Sequence, residues 1–319
     1  MSERIARRGT SLALSADAPA HSRGLVDQAW LLMMLPGLFW AGNAVIGRAV
    51  AGEVPPVALA FWRWTAGAII VLPLAYHHLR RDFRTMLQAW PMMVILSALG
   101  VSAFNTCLYI AAQTTTALNI VMLQSATPVL VVLATLVIFG ETVRPRQLIG
   151  VAVSLAGALT LVTHGELLML MRLHLNRGDL WMLVAVVCYT IYTALLRRRP
   201  SVHGLSFLLT TFVIGAALLL PLYIVETLSG RPLQLGPSAV LSVGYAAAFA
   251  SVLAYFSFNR AVALIGAPTA SLAIHLVPVF GTVLAFLFLG EIPHAYHAVG
   301  IVMIGSGIWL ATRSGRPNA

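Results

Sequence analysis

Long apolar segments with almost no charge recur along the whole chain, and they limit what it can fold into. Each is close to the length of about 20 residues that a helix needs to cross the hydrocarbon core of a bilayer. Backbone N–H and C=O groups in lipid must be satisfied within the segment, so we expect helices rather than open strands. The ten predicted spans cover residues 30–51, 56–77, 90–112, 117–140, 147–164, 179–197, 205–226, 237–259, 267–290 and 294–312.

The composition supports a location in the membrane. Of the 319 residues, 59% are hydrophobic and 9% are charged, whereas soluble domains average about 25% charged residues. The sequence therefore predicts an all-α integral membrane protein in contact with the lipid bilayer. The net charge of +10 would suit nucleic-acid binding in a soluble protein. Here the basic residues are all Arg and lie mostly between the spans, which predicts a role in topology and no nucleic-acid partner.

The arginines also predict the orientation of the chain. With the N-terminus inside, the inner segments hold fifteen arginines and the outer ones hold four, a clear positive-inside bias. The inner set is Arg4, Arg7, Arg8, Arg23, Arg80, Arg81, Arg84, Arg144, Arg146, Arg197, Arg198, Arg199, Arg260, Arg313 and Arg316, and the outer set is Arg48, Arg172, Arg177 and Arg231. We therefore expect both termini in the cytoplasm. The use of Arg alone is typical of a GC-rich bacterial genome, and it indicates a bacterial inner membrane.

One sequence pattern occurs twice. "ATPVLVVLATLVIFGE" at residues 126–141 and "LVPVFGTVLAFLFLGE" at residues 276–291 both place a Pro twelve residues before a Gly-Glu pair. Further matches at offsets of 148 to 150 residues are Gly150 with Gly300, Gly157 with Gly307, Trp40 with Tyr189, Gly67 with Gly215 and Pro73 with Pro221. So many Gly and Pro matches in order predict an internal repeat of five helices.

Because five is odd, the second repeat must enter the membrane from the opposite side, which predicts two inverted repeats. Inverted repeats are typical of secondary transporters, which bind substrate near the midplane and expose it alternately to each side. The predicted organisation is an N-terminal cytoplasmic tail (1–29), a first repeat (30–164), an external linker (165–178), a second repeat (179–312) and a C-terminal cytoplasmic tail (313–319).

Several segments resemble a known family. "LFWAGNAVIGR" (38–48) and "PPVALAFWRWTAGAIIVLPL" (55–74) are similar to the first and second helices of EamA-type carriers in the drug/metabolite transporter superfamily. The two Pro…Gly-Glu segments resemble that family's fourth and ninth helices. The resemblance implies ten helices in two five-helix repeats and export or exchange of small metabolites, with amino acids, their derivatives and amphipathic drugs as typical cargo. Ala41 departs from the Gly that often follows the Trp in this family.

Arg63 lies about seven residues into the second span, between two tryptophans. An ionisable group inside a membrane costs several kcal/mol unless it is paired or hydrated, so it is a candidate for function. One hypothesis is a cavity-facing cation that meets a substrate carboxylate. The alternative is a structural Arg that bonds to backbone carbonyls or stacks on its Trp neighbours.

His275 lies midway through the ninth span, three residues before Pro278. A titratable His beside a Pro-induced kink could bind substrate or carry a proton. The alternative is a hydrogen-bonded structural His. The spans have no Asp or Glu at their centres, so proton coupling would fall to His275 or to a Glu at a helix end, and facilitated export or exchange is an equal hypothesis.

The remaining candidates are amides, tyrosines and one Trp inside the spans, which could bind the substrate or join helices by hydrogen bonds. The predicted substrate-binding set is Trp40, Asn43, Arg63, Asn105, Tyr109, Gln124, Tyr189, Tyr192, Tyr255 and His275. The acidic residues form no catalytic pair and no pattern of metal ligands, so the sequence predicts no enzyme, metal or cofactor. A membrane enzyme acting on a lipid or isoprenoid substrate, which would need such groups, is the alternative hypothesis.

Small residues form stripes on the fifth and tenth spans, at Gly150, Ser154 and Gly157 and at Gly300 and Gly307. Such stripes are typical of closely packed helices in membranes. They predict close packing or a homodimer through these two helices rather than a substrate path.

Overall fold

A computed structural model describes residues 18–141, 143–166, 168, 176–289 and 294–312 of the chain. Several features of the sequence prediction lie outside these residues. They are the tail up to residue 17, the tail at 313–319, most of the external linker, and the second Gly-Glu pair at 290–291.

The described part of the chain contains ten helices long and apolar enough to cross a membrane. They are α1 (Ala18–Ala49), α2 (Pro56–Gln88), α3 (Trp90–Thr114), α4 (Ala117–Gln124 and Thr127–Phe139), α5 (Pro145–Val162), α6 (Arg177–Arg198, its last turn 3₁₀), α7 (Gly204–Leu228), α8 (Pro237–Ile265), α9 (Ala267–Ala270, 3₁₀ Ser271–His275 and Leu276–Leu289) and α10 (Ala295–Thr312).

Two helices extend more than ten residues beyond one end of their predicted spans. α1 begins at Ala18 rather than at residue 30, so part of the predicted tail is helical. α2 continues to Gln88 rather than ending at residue 77. Its extension, "HHLRRDFRTMLQ", is polar but contains many good helix formers. A hydropathy pattern marks where the membrane ends, whereas the helix ends where its local propensity ends.

The packing of the helices has two-fold symmetry. α2 packs on α7, and α5 packs on α10, so these pairs join repeat-related helices. The contact of α3 with α6 corresponds to that of α8 with α1, and the contact of α4 with α6 corresponds to that of α9 with α1. The predicted architecture of two five-helix repeats in an all-α membrane protein is confirmed.

The irregular parts of the helices repeat as well. α3 contains a π-helical stretch at Ser97–Ala103, and α8 contains one at Ala246–Leu253. α4 is interrupted at residues 125–126, and α9 turns into a 3₁₀ helix at Ser271–His275. Discontinuous helices in membrane proteins are tolerated where they are buried in protein or line a cavity. These irregular segments lie where the two halves meet.

The small-residue stripes of α5 and α10 face each other within one chain. A Cβ atom on Gly307 would lie 2.6 Å from the carbonyl oxygen of Gly150, and one on Gly157 would lie 2.8 Å from that of Gly300. Of the two predicted roles for the stripes, the structure therefore shows close packing within the chain. A homodimer through α5 and α10 stays a prediction, and it would have to use other faces of these helices, because these glycines are packed against each other.

Candidate functional site

Arg63 is fully buried and forms four hydrogen bonds. Its Nε donates to Ser251 Oγ at 2.7 Å, and Nη2 donates to the carbonyl oxygen of Ala250 at 3.0 Å. Its Nη1 donates to Tyr109 OH at 2.7 Å and to Asn43 Oδ1 at 3.4 Å. The guanidinium carbon lies 4.6 Å from the centroid of the Trp64 ring, within range of a cation–π interaction. We call these five hydrogen-bonded residues the Arg63 network.

None of the partners of Arg63 in the described part of the chain is a carboxylate. Burying an unpaired ion costs several kcal/mol, and hydrogen bonds from a charged donor recover about 1.5–3 kcal/mol each. Four bonds satisfy four of the five N–H groups of a guanidinium. Among the described residues, the charge is thus held by neutral oxygen atoms and by the rings of Trp64 and Tyr109.

The Arg63 network joins the two halves of the protein through a π-helical stretch. Ala250 and Ser251 belong to the π-helical stretch of α8, in which the carbonyl of Ala250 also accepts from Trp40 Nε1 at 3.2 Å. The repeat-related carbonyl, that of Gly100 in α3, accepts from Tyr255 OH at 2.7 Å. A π-turn shifts the backbone pairing and is frequent at functional sites. In both halves it presents a carbonyl to a side chain of the opposite half.

Aromatic rings fill the space beside this network. Trp40 contacts Tyr189 edge-on at a centroid distance of 5.8 Å and Tyr255 at 6.0 Å. Tyr189 in turn contacts Tyr192 at 5.6 Å and Phe104 at 4.5 Å. All of these side chains are buried, and the hydroxyl of Tyr189 has no hydrogen-bond partner among the described residues. The ring faces offer apolar contact, and the hydroxyl is a polar group for a ligand.

Two tyrosine–asparagine pairs flank the rings at repeat-related positions. Tyr109 OH donates to Asn43 Oδ1 at 2.9 Å, and Tyr192 OH donates to Asn259 Oδ1 at 2.8 Å. The offsets of 149 and 150 residues align Asn43 with Tyr192 and Tyr109 with Asn259. The same hydrogen bond is therefore formed twice with its donor and acceptor exchanged between helices.

Eight of the ten predicted site residues form one connected group, which we call the central cluster. Asn105 joins it through a hydrogen bond of 3.2 Å from its Nδ2 to Tyr255 OH. The members of the central cluster are Trp40, Asn43, Arg63, Asn105, Tyr109, Tyr189, Tyr192 and Tyr255.

Gln124 and His275 share no hydrogen bond or ring contact with the central cluster within the described residues. Gln124 ends the first piece of α4. His275 is fully buried, with Nδ1 2.7 Å from Ser154 Oγ and Nε2 2.9 Å from the carbonyl oxygen of Ser125. A carbonyl can only accept, so Nε2 carries a proton, and a neutral ring accepts from Ser154 at Nδ1. This geometry matches the structural alternative for His275, which joins α4, α5 and α9.

A cavity of about 890 Å³ opens at the end of the bundle that carries most of the arginines. We call this the arginine-rich end. The cavity is lined by residues of the connections α4–α5, α6–α7 and α8–α9 and of the adjoining helix ends, among them Glu141, Arg144, Gln147, Arg197, Arg199 and Thr269. Glu141 forms an ion pair with Arg197. Burial lowers the pKa of Arg199 from its usual value, Tyr192 opposes this shift, and the like charge of Arg260 adds to it.

Asn259 connects this cavity with the central cluster. It lines the cavity and accepts the hydrogen bond from Tyr192. The ten predicted site residues are not among the residues that line the cavity. The path from the arginine-rich end therefore stops at the Tyr192–Asn259 pair, and the central cluster is closed in this structure.

At the opposite end, contacts between the two halves separate the central cluster from a smaller cavity of about 530 Å³ on the α1–α2 and α7–α8 connections. Two acidic residues take part in these contacts. Asp179, at the start of α6, is fully buried and accepts from Thr115 Oγ1 and from Asn119 Nδ2 at 3.1 Å. Glu226, near the end of α7, accepts from the backbone N–H groups of Val57 and Ala58 at 3.3 and 2.7 Å. Glu226 thus caps the N-terminus of α2, where the helix dipole favours a negative charge.

The sequence interpretation missed these two carboxylates because both lie at the ends of spans, where it expected only interfacial charge. For Asp179 a signal was available. Asn176 and Asp179 have the spacing of a capping box, and both of its reciprocal hydrogen bonds are present. That pattern locates the start of α6, but it does not reveal the bonds to Thr115 and Asn119.

Named transporters from several organisms are similar to this chain. An uncharacterized transporter of Archaeoglobus fulgidus is 27% identical over 283 residues, covering 88% of this chain and 96% of that protein. An uncharacterized transporter of Bacillus subtilis is 24% identical over 289 residues, covering 89% and 93%. A probable terminal-alkyne amino-acid exporter of Streptantibioticus cattleyicolor is 27% identical over 228 residues, covering 70% and 73%.

A solved structure and a family model each match most of the chain. A solved crystal structure superposes with a TM-score of 0.69 at 20% sequence identity, covering 90% of this chain and 98% of that one. The sequence matches the EamA-like transporter family over residues 28–163 and 176–313, which correspond to the two five-helix repeats. The chain therefore belongs to the EamA-like transporter family and is a transporter rather than an enzyme.

Proposed function

We propose that the protein is a secondary transporter that exports or exchanges a small metabolite, an amino-acid-like compound or an amphipathic drug, by alternating access. One observation carries this proposal. A polar and aromatic cluster lies between two inverted repeats, with a cavity leading toward it from one end and contacts between the halves closing the other end. Binding at such an interface is the common arrangement in transporters built from inverted repeats.

The positive-inside rule supports the orientation of this transporter. The arginine-rich end would lie in the cytoplasm of a bacterium, with the protein in the inner membrane and both termini inside. In that orientation the cavity of about 890 Å³ faces the cytoplasm and stops short of the central cluster, so the conformation would be an occluded one with its cavity on the inner side.

We assign the parts of the substrate from the chemistry of the central cluster. A guanidinium without a carboxylate partner among the described residues suits a substrate carboxylate. The carboxylate would use the one free N–H group of Arg63, and two parallel hydrogen bonds would form only if it also displaced one of the existing partners. Trp40, Tyr189 and Tyr255 would contact an apolar portion, and Asn43, Asn105, Tyr109 and Tyr192 would bind polar groups. The similarity to a probable amino-acid exporter supports the same class of substrate. Gln124 and His275 are not part of this assignment, because they lie outside the cluster.

The test begins with metabolite profiles inside and outside cells that lack or overproduce the protein. A metabolite that accumulates inside the deletion strain is expected to fall inside the overproducing strain. Its flux is then measured in proteoliposomes, with and without a pH gradient, which separates proton-driven export from exchange. Unchanged profiles for all small molecules would count against the proposal.

A pair of tryptophan variants tests the assigned site. Trp40→Ala removes a buried ring of the central cluster and should reduce flux by about tenfold, which corresponds to about 1.4 kcal/mol. Trp90→Ala is the matched control, because Trp90 is 61% exposed at the start of α3. Equal flux in the two variants, at equal amounts of folded protein, would show that the substrate does not bind at the cluster.

A further inference from the structure

The Arg63 network contains two kinds of hydrogen bond. Those to Asn43 and Tyr109 stay within the first half of the protein, whereas those to Ser251 and Ala250 cross to α8 of the second half. A relative movement of the halves leaves the first kind intact. It breaks the second kind, because a hydrogen bond is lost once donor and acceptor separate beyond about 3.5 Å.

The network lies toward the end opposite the arginine-rich end. Arg63 follows the start of α2 at Pro56 by two turns, a distance of about 10 Å along the helix. Tyr109 and Asn43 lie within two turns of the ends of α3 and α1 that reach the same side. The bonds to α8 therefore lie between the central aromatic rings and this opposite end.

The repeat provides an internal comparison. The offset that aligns Gly67 with Gly215 aligns Arg63 with Thr211. Thr211 donates only to carbonyl oxygens of its own helix, those of Phe207 and Leu208. Its half also contains a tyrosine–asparagine pair, and there the cavity reaches Asn259. Of the two repeat-related pairs, the Tyr109–Asn43 pair bonds to Arg63 and does not line this cavity, whereas the Tyr192–Asn259 pair of the second half borders it.

We propose that Arg63 is a positioning residue of the transport cycle, which holds α8 against α1, α2 and α3 and so keeps the end opposite the arginine-rich end closed. This inference rests on the proposed function, since a cycle of alternating access is what requires that end to open. The structure favours a cross-link between the halves over a role confined to the first half, because two of the four hydrogen bonds of Arg63 reach the second half.

Two substitutions separate this role from general stabilisation. Ser251→Ala removes the bond from Nε to α8. Tyr109→Phe removes a bond of the same length, 2.7 Å, together with the bond from Tyr109 to Asn43, and both of these stay within the first half. Both take one acceptor from the same buried guanidinium. Only Ser251→Ala should change the balance between closed and open forms. Arg63→Gln removes both cross-links and should change it further.

The measurement is the distance between spin labels at Glu53 and Gln234, by double electron–electron resonance in lipid nanodiscs without substrate. Both residues are exposed and line a cavity of about 530 Å³ at the opposite end, on the α1–α2 and α7–α8 connections. Cys107 and Cys188 are first replaced by Ser so that only the labels react. The parent protein should show mainly the short distance.

Ser251→Ala is expected to raise the ratio of long to short distances by about tenfold, the effect of one hydrogen bond from a charged donor. Arg63→Gln should raise it by about a hundredfold, and Tyr109→Phe should leave the distribution of the parent. The proposal is overturned if Ser251→Ala and Arg63→Gln both keep the parent's distribution, or if Tyr109→Phe shifts it as much as Ser251→Ala does. If Arg63→Gln does not elute as a monodisperse peak, Ser251→Ala against Tyr109→Phe decides.

Failure of the proposed function would look different. A parent protein that moves no metabolite in proteoliposomes would refute the transporter mechanism, whatever the spin labels report. A parent protein with normal flux and label distances that do not respond to the variants would refute only the role of Arg63.

Discussion

Two glycines of α10, two residues apart, should respond oppositely to the same substitution. A Cβ on Gly307 would lie 2.6 Å from the carbonyl oxygen of Gly150 and 2.6 Å from the backbone nitrogen of Ser154. These neighbours are backbone atoms and cannot rotate away, so Gly307→Ala must push α5 and α10 apart. A Cβ on Gly305 would meet nothing within 4 Å. Gly305→Ala therefore adds a methyl group without a clash.

The expected magnitude follows from two terms. Replacing Gly by Ala inside a helix stabilises it by about 0.5–1 kcal/mol, and this term applies to both variants. Overpacking a tight contact costs about 1–3 kcal/mol, and this term applies to Gly307→Ala alone. The two variants should thus differ by about 1–3 kcal/mol. At about 2 °C per kcal/mol for a chain of this size, their melting temperatures should differ by about 2–6 °C.

The assay is size-exclusion chromatography of detergent-solubilised protein after heating, with loss of the monodisperse peak as the readout. Equal melting temperatures for the two variants would refute the backbone contact between α5 and α10. The same chromatograms test the homodimer hypothesis. If the glycine stripes joined two copies, Gly307→Ala would change the oligomeric mass and leave the melting of the single chain unaltered.

Three further predictions concern residues outside the central cluster. His275→Ala should lower the free energy of unfolding by about 2–5 kcal/mol, since it leaves two buried polar groups without partners. Ser154→Ala should lower it by less. Neither substitution should change the pH profile of flux per folded molecule. A pH profile altered by His275→Gln at normal stability would instead indicate a proton carrier. Asp179→Ala should lower the melting temperature more than Asp179→Asn does, because Asn keeps an acceptor for the α3–α4 connection. Equal melting temperatures for the two variants would contradict the role of Asp179 in joining the halves. Glu226→Ala should cost about 1 kcal/mol as a lost helix cap, whereas Glu53→Ala, on an exposed connection, is the control and should be near neutral in the same thermal assay.

The fold could be predicted from the sequence because both of its determinants are local or periodic. Apolar length gives the spans, and the offset of about 150 residues gives the pairing of the halves. Most of the central cluster followed from one physical rule, that polar groups in a membrane must meet other polar groups. The rule predicts that Arg63, Asn43 and Tyr109 each need a polar partner, and the structure shows that these residues, on three different helices, are partners of one another.

The remaining features depend on tertiary contacts that no local pattern encodes. The π-helical stretches at Ser97–Ala103 and Ala246–Leu253 have no sequence signature, yet they supply the carbonyls that accept the cross-half bonds. The sequence makes His275 a candidate for function because it is a titratable residue midway through a span, three residues before Pro278. Its partners, Ser154 and the carbonyl of Ser125, come from two other helices and could not be read from its own segment.

The two repeats differ most informatively where a residue meets its own counterpart. Offsets of 150 residues align Asn105 with Tyr255 and Ser125 with His275, and each of these pairs is hydrogen-bonded in the structure. In a symmetric dimer of identical halves, each of these positions would face a copy of itself. On a symmetry axis two identical residues carry the same groups, so neither position is fixed as the donor or the acceptor. Two fused repeats that have diverged can place a donor at one position and an acceptor at the other. The hydrogen bond from the ring N–H of His275 to the Ser125 carbonyl is such an asymmetric pair. Divergence at these axis positions therefore stabilises the packing of the halves, and it need not reflect a choice of substrate.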